Sequence, residues 1–238
     1  NKPTSLRDDE PYRAAVEDRS LIGEDHPLAA IGATLAEAAA LIWPNLDEAF
    51  ARVGCEGATR IPATSHAPVV SMFPRLTTAL GTGAVMLYYV ENAPDATVVA
   101  AGTPVIVLGK RLSSEASPAP LDETRAILAR AVELTRPEHI AFTGLPAREA
   151  TRLVTSVVRL FGPAALRDAV SALLADEDVQ RAHDEVVKAA LPVKLRTRLE
   201  QLLATMPAAA LDNAKYAAVA HRNADRAALL LGGSASEI

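Results

Sequence analysis

A chain of 238 residues is long enough for one large domain or two small ones, and it can bury a sizeable core. Half of it is apolar but only 4% is aromatic, so the core should be built by closely packed helices rich in alanine and leucine. The net charge of −5 offers no electrostatic footprint for nucleic acid or an anionic membrane. The single Cys55 excludes an internal disulfide, and no apolar run reaches the ~20 residues of a membrane span.

These features fit a cytoplasmic setting. The chain starts at Asn1 rather than methionine, which reads as a fragment of a larger protein. Residues 1–10 are polar and read as a flexible lead-in to N-terminal helices over 11–55, the first near 11–20. From Pro27 to Trp43 the sequence is almost wholly helix-favouring, and Pro44 stops it. Asn45 can cap a following helix that closes at Gly54.

The middle changes character. Over 59–112, Val, Thr, Tyr and Pro accumulate, and VMLYYV (85–90), TVVAAG (97–102) and PVIVLG (104–109) read as three short strands. Asn92, Pro94 and Asp95 supply turn chemistry after the first, and Gly102-Thr103 suggests a hairpin or bulge after the second. A small antiparallel sheet of about three strands is the simple expectation. Gly81-Thr82-Gly83 precedes a strand rather than joining strand to helix, so it reads as a turn and not a phosphate loop.

Helices then fill 121–231, after the Ser/Pro-rich SSEASPAP (113–120). They are LDETRAILARAVELTRP (121–137), PAREATRLVTSVVRLFG, PAALRDAVSALLAD, EDVQRAHDEVVKAAL, VKLRTRLEQLLATM and an alanine-rich helix from Pro207 to about Leu231, with Gly232-Gly233 as its stop. No fixed repeat length recurs. The whole reads as one α+β domain over 1–238, mostly helical.

The strand, turn, strand, short loop, strand, helix order carries a resemblance. YYVENAPDATVVAAGTPVIVLGKRL followed by LDETRAILARAVEL resembles the core of the HtpX-type, CAAX-prenyl-protease-like zinc metallopeptidases, over roughly residues 50–235. The resemblance implies a zincin-like helical core, with HExxH on the helix that begins at Asp122-Glu123. Here those five positions hold Arg130, Ala131, Val132, Glu133 and Leu134. The Ala224-Asp225-Arg226 tail matches the family's later helix, where His221 stands at the position of the third, glutamate ligand.

HExxH works because two histidines one turn apart bind Zn²⁺ while the glutamate activates its water. Arg130 cannot lose its charge and cannot bind a cation, and Ala131 and Leu134 carry no donor. His221 alone keeps a ligand-capable side chain, so no metal, no cofactor and no catalytic residue is expected. Arg130 is expected to supply the missing positive charge structurally, pairing with Asp225 or with Glu133 three residues on. The function implied is a non-enzymatic, metallopeptidase-like pseudoenzyme serving as a scaffold or protein-interaction module. Its partner would be another protein, or another domain of the same parent chain. Such domains resemble ones appended to long helical-repeat proteins in bacteria. The alternative is a metal-dependent hydrolase or metal-binding protein with a site relocated around His221, His183 or His139.

Other residues have ordinary readings. Cys55 with His66 lacks an orienting partner, and Ser65-His66 and Ser113-Ser114 lack nucleophile-elbow glycines. His183 and Glu185 read as a solvated face, as does the basic stretch Lys188 to Arg198; His139 after Pro137 reads as a helix-end partner of the last carbonyls. Tyr88 and Tyr89 should point to opposite sheet faces, leaving Tyr89 for a partner surface. The alanines of the last helix (Ala214, Ala217, Ala218, Ala224, Ala228) read as an intramolecular packing seam.

Overall fold

A computed structural model describes residues 22–232 except 24, 115–118 and 172–175. The expected lead-in, the helix near 11–20, the centre of the Ser/Pro-rich stretch and the C-terminal tail lie outside the described residues. The protein is a mostly helical α+β fold with a small mixed sheet of four strands.

The N-terminal part holds α1 (Leu28–Ala36), α2 (Ala39–Ile42) and α3 (Leu46–Arg52). The single helix expected over 27–43 is broken at Ala38, whose backbone leaves the helical region (φ −107°, ψ 11°). Nothing in the local sequence demands that break, because Glu37 and Ala38 are both good helix formers. Asn45 caps α3 as expected: its side chain accepts from the backbone N–H of Asp47 and Glu48 at 3.0 and 3.3 Å. Asp47 and Glu48 in the first turn and Arg52 in the last complement the helix dipole.

The stretch 59–112 is not purely a sheet. β1 (Thr59–Arg60) is followed by a thirteen-residue helix, α4 (Pro68–Leu80), which the β-branched and proline-rich sequence conceals. Pro68 occupies its first turn, where a missing N–H costs nothing, and Gly81 ends it at φ 60°. Pro74 sits inside the helix, and the Thr77 and Thr78 hydroxyls donate to its carbonyl at 3.0 and 2.8 Å. Burial of Val69, Leu76, Ala79 and Leu80 outweighs these poor local propensities.

Three more strands, β2 (Met86–Tyr89), β3 (Ala96–Val99) and β4 (Val105–Leu108), complete a sheet of order β1-β2-β4-β3. The expected antiparallel sheet of about three strands is corrected here: β1–β2 and β3–β4 are antiparallel, but β2 and β4 are parallel. After β2 the chain passes the place beside it and forms β3 two positions away, and β4 then fills the gap. β4 is fully buried because both sheet faces are covered. Leu87, Val98, Ile106 and Leu108 face the main helical core, while Val99, Val105 and Val107 face a smaller cluster with Ala49, Phe50 and Cys55. Tyr88 packs on Phe50 in that smaller cluster, with ring centroids 5.0 Å apart, and Tyr89 is half-buried rather than outward.

The helical half comprises α5 (Lys110–Ser113), α6 (Leu121–Leu134), α7 (Ile140–Thr143), α8 (Ala147–Phe161), α9 (Ala164–Ser171), α10 (Glu177–Ala190), α11 (Val193–Ala204), a 3₁₀ turn (Ala208–Leu211) and α12 (Asn213–Gly232). α6 is the central element, packed against β3, α4 and above all α12. The seam on α12 is Tyr216, Val219, Ala220, Asn223, Ala224, Ala227, Ala228 and Leu231. Of the alanines expected there, Ala224 and Ala228 are buried, whereas Ala214 and Ala218 are exposed and Ala217 is intermediate. Gly232 lets α12 close on α6, since a Cβ on it would stand 2.6 Å from the Ala126 Cβ.

Candidate functional site

α6 presents Ile127, Arg130, Ala131 and Leu134 to a single cleft of about 490 Å³, a spacing that places all four on one helical face. β3 forms one wall through Ala96, Thr97 and Val98, and the α7–α8 connection (Thr143 to Pro146) forms another. His221 of α12 and Arg52 at the end of α3 complete the lining. The sequence positions Arg130, Ala131, Leu134 and His221 therefore meet around one space.

Arg130 is tied at the mouth of this cleft. Its Nε donates to Asp225 Oδ1 at 2.8 Å, and its Nη2 lies 3.2 Å from His221 Nδ1. A guanidinium has no lone pair to offer, so His221 Nδ1 must accept and the ring proton must reside on Nε2. The neutral ring fits its surroundings: burial pushes the His221 pKa below its ordinary value, the Arg130 cation adds to this, and Asp225 opposes it. The ion pair is half-exposed, with side-chain exposures of 43% for Arg130 and 55% for Asp225.

Glu133, the other partner expected for Arg130, turns away. It is fully buried on the core side of α6, with its Oε1 3.8 Å from Arg136 Nε and 3.9 Å from His139 Nε2. Side chains three apart on a helix can meet, but α6 is wrapped on several sides, and Glu133 falls on a buried face toward Arg136 and His139. His139 is corrected with it. Rather than serving the last carbonyls of α6, it is buried, with Nδ1 2.8 Å from the Tyr216 hydroxyl, which itself donates to the Glu138 carbonyl at 2.8 Å. That phenol is held well above its ordinary pKa, chiefly by burial.

The remaining candidates are dispersed. His183 is half-buried rather than solvated, with Nδ1 2.7 Å from Ser156 Oγ, inside a network that includes Gln180, Asp184 and Arg159 between α8 and α10. Burial and the nearby Arg152 and Arg52 cations push its pKa down, against Asp184. Cys55 is buried beneath the sheet and burial raises its pKa, which keeps it a thiol. Among the described residues, no three His, Cys, Asp or Glu side chains gather in a way that could hold a metal ion. The guanidinium of Arg130 and the aliphatic side chains of Ala131 and Leu134 leave His221 as the one metal-donor side chain of these four, which does not fit a zinc centre.

Comparison with protein-family models, with curated proteins and with solved structures gave no match. The cleft must be read from its own chemistry.

Two features of it escape the sequence. The first is the outer edge of β3, the last strand of the sheet. Gly109 N–H donates to the Asp95 carbonyl, which fixes the alternation of the β3–β4 ladder, so Thr97 and Val99 bond inward to β4. Ala96 and Val98 then direct their N–H and C=O groups outward into the cleft. No backbone hydrogen bond from another described segment reaches them there. The edge ends where Ala100 N–H donates to the Gly144 carbonyl at 2.8 Å. The second is Arg52, whose ion pairs to Glu48 and Glu149, at 3.6 and 3.5 Å, are longer than hydrogen bonds. An arginine in the last turn of a helix reads as a dipole partner, so no local signal marks it.

Proposed function

We propose that this domain is a non-catalytic, metallopeptidase-like protein-interaction module or scaffold. Its cleft would hold an extended segment of another protein, or of another domain of the same parent chain, without cutting it. The single observation that carries the reading is Arg130 bridging Asp225 and His221 between α6 and α12. A fixed cation joins the two helices at the place where the resemblance to HtpX-type peptidases would put a dication. In this reading Arg130 replaces the metal structurally. The empty-handed Ala131 and Leu134 beside it leave the cleft wall apolar and unable to activate water.

The outward N–H and C=O groups of Ala96 and Val98 support binding of an extended chain, since an exposed sheet edge takes up a strand through main-chain hydrogen bonds. The cleft volume of about 490 Å³ lies in the range of ordinary ligand sites.

The test is to incubate the protein with pools of N-acetylated, C-amidated heptapeptides, with and without a chelator, and to measure both retention and cleavage by mass spectrometry. Retention of intact peptides, weakened by alternate backbone N-methylation, is the expected result. Absence of retention would overturn the reading. Chelator-sensitive cleavage would overturn it in favour of a hydrolase with a metal site relocated around His221.

A further inference from the structure

The ionisable side chains that line the cleft are Arg52, Arg130 and His221, and no carboxylate lines it among the described residues. The acids that balance the two arginines (Asp225 for Arg130, Glu48 and Glu149 for Arg52) are not part of its wall. His221 is kept neutral, as derived above, so it neither adds to the charge nor cancels it. An incoming chain therefore meets two cations and otherwise mostly apolar surface.

Neither guanidinium is saturated. Arg130 commits its Nε and one Nη2 hydrogen, which leaves further N–H donors of its fork unspent. Arg52 makes only long ion-pair contacts through Nε and Nη2; its Nη1 lacks a hydrogen-bond partner but is buried out of reach of an incoming acceptor. The unspent donors of Arg130 and the loosely held Nε and Nη2 of Arg52 gain from a closer acceptor, and a carboxylate is the acceptor whose two oxygens match a guanidinium fork.

Resting on the reading of the cleft as a peptide-binding site, we propose that the extended segment it takes carries an acidic side chain, seated against Arg52 and Arg130. The main chain of that segment pairs with Ala96 and Val98 and supplies the register. The glutamate or aspartate supplies the selection. A neutral amide in the same place accepts with one oxygen and brings no charge, and a lysine is repelled.

The experiment uses three pools of N-acetylated, C-amidated heptapeptides, randomised except for a central Glu, Gln or Lys, labelled with fluorescein and titrated with the whole chain by anisotropy. The Glu pool should bind at least about tenfold more tightly than the Gln pool, as charge-assisted hydrogen bonds do relative to neutral ones. Its advantage should shrink as salt is raised and largely vanish in Arg130→Gln, with Arg52→Gln acting in the same direction. Circular dichroism would check that both variants are folded. The comparison of Glu with Gln pools needs no variant at all.

Equal binding of the Glu and Gln pools overturns the acidic selection while leaving the peptide-binding reading standing. A fourth pool with central Gln and a free C-terminal carboxylate separates the other source of the same chemistry. If that pool matches the Glu pool, the cleft takes a chain terminus and the proposal is wrong. If no pool binds, both the proposal and the reading beneath it fall.

Discussion

Arg130 shows how a single side chain can join helices that are far apart in sequence. Its partners lie 91 and 95 residues away, yet three polar groups on two helices meet within hydrogen-bond distance. The pair is half-exposed, so its contribution to stability is modest, about 0.2–1 kcal/mol in the manner of surface ion pairs. A double-mutant cycle with Arg130→Gln and Asp225→Asn, read by urea denaturation, should give a coupling energy in that range. Zero coupling would mean that the bridge holds nothing together. The alternative partner Glu133 shows the limit of reasoning from spacing. The sequence places it within reach of Arg130 along the helix, but residue 133 belongs to a buried face, beside His139.

At the level of elements, close approach is governed by glycines and by capping rather than by propensity. Gly32 in α1 lies against α7: a Cβ on it would stand 2.2 Å from the Glu138 carbonyl oxygen and 2.8 Å from a Phe142 ring carbon. Helix propensity alone predicts that Gly32→Ala stabilises the protein by up to about 1 kcal/mol. The packing predicts the opposite sign, a loss of about 1–3 kcal/mol, because α1 and α7 must separate to admit the methyl group. Chemical denaturation of the variant decides between the two. α4 makes a related point from the other direction. Its sequence, PVVSMFPRLTTAL, carries two prolines and several β-branched residues, yet it forms thirteen residues of helix because one stripe of it is buried against α6. Where the periodicity is strong, as in α3, α6 and α8, the elements are legible from sequence to within a few residues, whereas α12 starts at Asn213, six residues after the expected Pro207, because a 3₁₀ turn takes up Ala208–Leu211.

For the molecule as a whole, two half-buried histidines connect stability to pH. His183 and His221 both have pKa values lowered, by burial first and by neighbouring arginines second. Each is neutral in the folded protein while its unfolded counterpart takes up a proton near pH 6.5. The unfolded state therefore binds more protons in the window from about 6.5 down to the lowered folded values. Stability from these groups is fully present above that window and is lost as pH falls through it. Denaturation midpoints measured between pH 8 and pH 5 should decline, and His183→Gln or His221→Gln should flatten the curve. A profile unchanged by both variants would place the pH response elsewhere. Along the chain, alternating and 3.6-residue patterns, prolines, glycines and caps reveal helices and strands, because those signals act over a few residues. Residues 130, 131, 134 and 221 are grouped only by the resemblance to HtpX-type peptidases, and no local pattern marks them as a set. Strand order, the parallel pairing of β2 with β4, the concealed α4 and the burial of Glu133 depend on what packs against each segment. The cleft itself, with its open β3 edge and two arginines, exists only once α3, α6, α12 and the sheet are assembled. Local sequence carries no term for contacts between residues so far apart.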